Sequence, residues 1–138
     1  MSKTLLYRLF GVGKIPAQWR STIDSEGIVL IDEGIRGTVT YRDFVSPGRR
    51  ASWKKSAFIG AIVLTKTRLL ALQFSNPVIN APLDDDRLRQ MQFSVEGEDW
   101  ILIAFKANLF HDDWSGTLEY RFRTPQAAAF LKGLSKHK

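Results

Sequence analysis

The chain has no cysteine, so disulfides and thiolate-bound metals are excluded outright. That absence fits a reducing compartment. Histidine is almost as scarce, with only His111 and His137. No serine sits in a nucleophile elbow, and there is no thiol nucleophile either, so covalent catalysis is not expected. Long apolar runs are lacking too. The longest, Trp100 to Phe105, is far short of the roughly 20 residues that cross a bilayer as a helix. Near the start, Arg8 interrupts Leu5-Leu6-Tyr7 and Leu9-Phe10, and no small-residue cleavage site follows, so a signal peptide is not expected. These absences point to a cytoplasmic protein, or to one peripheral to a membrane. Repeats, low-complexity tracts and interdomain linkers are missing as well, and 138 residues suit one domain with a sizeable core.

What is present is ordinary in amount and ordered in pattern. Hydrophobic residues make up 44% and charged residues 25% of the chain, as in soluble globular proteins. Leu118, Tyr120 and Phe122 alternate with Glu119, Arg121 and Arg123, the pattern of a strand with one buried and one wet face. At Thr124-Pro125 the period changes: Thr124 suits an N-cap and Pro125 the first helical position. Ala127, Phe130, Leu131 and Leu134 then form one apolar stripe on a short helix. A lone closing helix must bury that stripe on a sheet or over a barrel mouth.

Earlier in the chain, Ser2 to Phe10 reads as a short helix and Pro16 to Ile23 as an irregular or helical connection with Trp19 as a packing anchor. Gly27 to Ile31 and Ile35 to Arg42 read as two strands divided by a turn or bulge at Asp32-Glu33-Gly34. Pro47-Gly48 marks a turn, followed by a basic loop. Ala57 to Leu64 and Arg68 to Phe74 form a hairpin, Val78 to Leu83 a short strand, and Met91 to Glu96 with Trp100 to Ala107 a second hairpin. The fold expected is mainly β: about seven strands in a small barrel or sandwich, closed by a C-terminal α-helix.

The formal net charge of +6 is unevenly distributed. Between residues 34 and 55, Arg36, Arg42, Arg49, Arg50, Lys54 and Lys55 face Asp43 alone. Between 84 and 99, Asp84, Asp85, Asp86, Glu96, Glu98 and Asp99 outweigh Arg87 and Arg89. A molecule polarised in this way has a preferred direction for meeting an anionic surface. The other charged clusters read as structure. His111-Asp112-Asp113 is better explained as a polar loop than as a metal or acid–base site, because adjacent residues rarely converge on one ion. The three aspartates from Asp84 suit a turn with a helix cap rather than a hard-cation site. Gly11-Val12-Gly13-Lys14 lacks the spacing and preceding strand of a phosphate loop.

One stretch carries a family resemblance. Ile62-Val63-Leu64-Thr65-Lys66-Thr67-Arg68-Leu69-Leu70-Ala71-Leu72 resembles the V-L-T-x-x-R-L-L hairpin common in bacterial pleckstrin-homology-like and GRAM-like domains. The final strand and helix are similar to the end of that fold, so the likeness spans roughly residues 27 to 134. Residues 1–26 stand outside it as an N-terminal helical extension, with 27–138 as the domain. The resemblance implies two nearly orthogonal antiparallel sheets capped by a C-terminal helix. It also implies a role in binding lipids, peptides or proteins, or in assembly, without catalysis and without a cofactor. In lipid-binding members a basic first hairpin loop holds the head group. Here that loop would be Ser46 to Lys55, so Arg42, Arg49, Arg50, Trp53, Lys54 and Lys55 become the candidate anionic-surface site. The stricter phosphoinositide spacing is not met, which leaves plain electrostatic attraction with Trp53 at the interface.

The expectation is therefore a non-catalytic binding or assembly module that meets an anionic membrane surface, a protein partner or a second copy of itself. The apolar residues Leu5, Leu6, Leu9 and Phe10 offer the extension the same choice of own core, second copy or membrane. The competing accounts are a solvated loop that only maintains solubility, and a basic nucleic-acid-binding domain. Most aromatics alternate inward, which weakens the second.

Overall fold

In the computed structural model, residues 11–137 are described. The helix expected over Ser2 to Phe10 lies outside them. In chain order the elements are α1 (Ala17–Glu26), β1 (Ile28–Ser46), β2 (Arg49–Thr65), β3 (Arg68–Gln73), β4 (Asn76–Pro82), the short α2 (Asp86–Arg89), β5 (Gln92–Glu96), β6 (Trp100–Lys106), β7 (Ser115–Arg123) and α3 (Ala127–Ser135). A 3₁₀ turn, Ala107–Leu109, follows β6. The protein is mainly β with a closing helix, as its alternation patterns predict.

All seven strands join one antiparallel sheet in the order β4-β3-β2-β1-β7-β6-β5. The ladder stays open: β4 and β5 are its two edges and do not pair, so the barrel of two sheets expected from the sequence is not closed by hydrogen bonds. Two prolines, Pro77 and Pro82, deprive the β4 edge of donors, and β5 is only five residues long. The segment between these edges turns inward instead, burying Leu83, Leu88 and Met91.

The two strands expected over residues 27–42 are a single strand of 19 residues. Asp32-Glu33-Gly34 is a bulge within it. The register to β2 slips between Glu33 and Ile35, and Gly34 takes φ +68°. An extra residue of this kind bends a strand and increases its twist without ending it. Beyond the bend, from Gly37 onward, β1 pairs with β7 as well as β2 and so becomes the centre of the sheet.

The inner face carries the main core, including Ile35 and Val39 of β1, Ile62 of β2, Ile103 of β6 and Phe122 of β7. The outer face of β2 and β3 is buried too. Ala61, Val63, Leu70 and Leu72 lie there against Ile15 and Ile23, with Trp19 packed at the margin. This explains why residues 57–64 and 69–72 read as continuous apolar runs instead of alternating, since both faces are covered. The segment before β1 provides the outer cover. Gly34 N–H donates to the Gly13 carbonyl at 3.2 Å, and Ile15 N–H donates to Glu33 Oε2 at 2.9 Å. At the far end of α1, Arg68 NH2 lies 3.0 Å from Glu26 Oε2.

The closing helix starts later than its sequence suggests. Thr124 does not cap it directly. Its hydroxyl accepts the Gln126 N–H at 3.2 Å and donates to Asp32 Oδ2 at 2.7 Å, both Thr124 and Asp32 being buried. Gln126 Nε2 donates to the Ile31 carbonyl at 2.9 Å. These bonds fix α3 against the first half of β1. Ala127, Phe130 and Leu134 are fully buried, while Leu131 is half-buried. The helix stoppers one end of the curved sheet.

Candidate functional site

The stretch expected as a basic loop is mostly strand. Only Pro47-Gly48 forms the turn, with Gly48 at φ +76°, and Arg49 to Lys55 are the first residues of β2. Composition disguised this: five charged or hydroxyl side chains in seven residues look like a loop, yet β1 supplies a long partner. Val45 pairs with Arg50, Arg42 with Trp53, Tyr41 with Lys54 and Thr40 with Lys55. Together these make the β1–β2 arm, held along β1 by β7 as far as Val45, which presents its cations on extended backbone.

The six residues expected at the site divide into two groups. Arg42 is already committed: its Nε lies 3.0 Å from Glu119 Oε2. That pair opens a chain of charges across the outer face, running from Glu119 to Arg121 at 3.4 Å and from Arg121 to Glu96 at 2.6 Å. The hydrogen bond from Arg121 holds the Glu96 carboxyl below its ordinary value, and the same bond raises the Arg121 guanidinium. Arg20, Arg68, Arg87, Arg89 and Arg123 also have carboxylate partners. By contrast, Arg49, Arg50, Lys54 and Lys55 form no ion pair among the described residues and are exposed. Trp53 beside them is 59% exposed, and Val45 38%.

The acidic clusters serve the local structure. Asp85 Oδ1 accepts the Arg87 N–H at 2.8 Å and caps α2, while Arg87 NH2 reaches Asp85 Oδ2 at 2.7 Å. The Arg87 side chain draws the Asp85 carboxyl below its ordinary value. His111 stacks on Trp114 with ring centroids 3.7 Å apart, and no group of three metal-ligating side chains converges among the described residues.

A second feature has no counterpart in the sequence reading. At the end of the sheet away from α3 lies a cavity of about 350 Å³. Tyr41, Phe44 and Arg49 of the β1–β2 arm form one wall, and Phe74, Asn76 and Val78 come from the β3–β4 hairpin. Phe105 and Tyr120 make the floor, with Phe110, His111 and Trp114 from the loop before β7. The rings brace one another. Tyr41 meets Phe44 edge-on at 5.0 Å, Phe44 meets Trp114 at 5.3 Å, and Phe105 meets Phe110 at 5.4 Å. Burial raises the Tyr120 phenol well above its ordinary value. Each of these rings looks like core when read along its own strand. Only the unfilled end of the sheet brings them around a space.

Compared with known proteins, the chain matches no protein-family model and no curated protein.

Proposed function

We propose that this protein is a non-catalytic, pleckstrin-homology-like binding module that meets an anionic lipid surface through its β1–β2 arm. One observation carries the reading. The described arginines are ion-paired except Arg36, Arg49 and Arg50, and two of those three lie side by side on the arm with unpaired Lys54 and Lys55. Cations held in no ion pair remain available to an outside anion, each contributing on the order of 1 kcal/mol near an anionic membrane. Exposed Trp53 among them suits the interfacial layer, where an indole places its apolar body and polar N–H together. Seven antiparallel strands and a stoppering helix are in keeping with the family resemblance.

Vesicle co-sedimentation tests it. Binding should rise with the fraction of anionic lipid and fall with salt. Replacing Arg50, Lys54 and Lys55 together by alanine should weaken it by about 3 kcal/mol, roughly a hundredfold. Unchanged vesicle binding by that triple variant would remove the arm as the site. If single-stranded RNA, and not vesicles, is the ligand that the variant loses, the module reads nucleic acid instead.

A further inference from the structure

The cavity differs in kind from the arm's outer surface. Its rings are already held edge to face by their neighbours, so a flat ligand lying against them would order few side chains. Its charge has one sign. No aspartate or glutamate lines it, whereas Arg49 does, and His111, Gln73 and Asn76 add polar groups. The Arg49 guanidinium lies 5.6 Å from the centroid of the Tyr41 ring and has no carboxylate partner among the described residues. A guanidinium at an aromatic wall offers a planar fork to a planar anion. The volume of about 350 Å³ falls low in the range of small-molecule sites, roughly 300–1,000 Å³.

Phe74 adds an independent sign. It stands at the first corner of the β3–β4 turn with φ +57° and is 45% exposed, although it lines the cavity. A bulky residue is uncommon in that backbone region, and strained residues gather at ligand clamps.

The geometry points to a binding site for a small aromatic carboxylate, its ring system in the space that Tyr41, Phe74, Phe110 and Trp114 border and its carboxylate turned outward onto Arg49. The site shares Arg49 with the arm, but Arg50, Trp53, Lys54 and Lys55, the rest of the proposed membrane contact, do not line the cavity. The full-length protein is titrated with 2-naphthoate and with its neutral isostere 2-naphthamide, followed by calorimetry and by amide chemical shifts. The acid should bind saturably at one site, moving resonances in residues 73–78 and 105–120. The amide should bind roughly tenfold or more weakly, and Arg49→Gln should erase that preference. Arg49 is exposed, so this variant keeps the fold. Val78→Phe, entering from the half-buried edge strand, should fill the space and abolish binding while vesicle co-sedimentation persists. Absence of saturable binding up to about 1 mM, equal affinity for acid and amide, or full affinity in Val78→Phe would overturn the proposal.

Discussion

Tyr120 shows how one residue joins the core to the open end. Its ring stacks on Phe105 with centroids 5.9 Å apart and meets Phe58 at 6.3 Å, while its side chain also lines the cavity. Burial disfavours the phenolate, so its folded-state pKa is raised above the ordinary 10.0. The unfolded chain then binds fewer protons than the folded one above pH 10.0, and stability must fall as pH rises past that value. Melting temperature measured against pH should therefore show an alkaline decline that Tyr120→Phe flattens. An identical decline in the variant would assign it to other groups. Thr124 and Asp32 make a different point at the same scale. The sequence marked Thr124 as a helix cap, but its hydroxyl serves a carboxylate 92 positions earlier in the chain. Local pattern names a polar residue at a boundary; it cannot name a partner delivered by the bend in β1.

Among the elements, α1 does work that its own sequence barely announces. Its apolar positions are few, and Ile23 is its only fully buried residue. Yet that side chain closes a second core on the outer face of β2 and β3. Ile23→Ala should cost about 2–5 kcal/mol in urea unfolding, because the rigid sheet beneath cannot collapse into the gap. A loss below about 1 kcal/mol would mean that α1 is only loosely seated. The clue was present in the strands and not in the helix: unbroken apolar runs at 57–64 and 69–72 require covers on both sides. The hairpin joining these runs was legible from its apolar stretches and turn residues, the one joining β5 to β6 and the final strand from alternation, and the closing helix from its apolar stripe. The first half of β2 was not, since a polar strand is ordered by its partner rather than by its own apolar face. The cavity was hidden for a related reason, as periodicity reports which face is buried and not whether the space behind it is full.

At the scale of the whole molecule, charge is arranged as a paired outer face and an unpaired arm. The paired face sets the acid limit. Glu96 and Asp85 are both held below their ordinary values by hydrogen bonds from Arg121 and Arg87. A carboxyl depressed in the folded state contributes stability above its unfolded pKa, which is lost as pH falls through its folded value. Thermal stability should therefore decline below about pH 4.5, the ordinary Glu96 value, and Glu96→Gln should make the decline shallower. The change will be small, because the Glu96 side chain is 45% exposed and screened by solvent. An undiminished acid slope in the variant would rule out this pair as a contributor. The unclosed ladder has a mechanical meaning as well. Since β4 and β5 do not pair, parting them breaks no strand ladder and is resisted by the side chains buried between them, Leu83, Leu88 and Met91 among them. The aromatic chamber takes Asn76, Pro77 and Val78 from β4, so that wall is tied into the sheet along one side alone and ends at an unpaired edge.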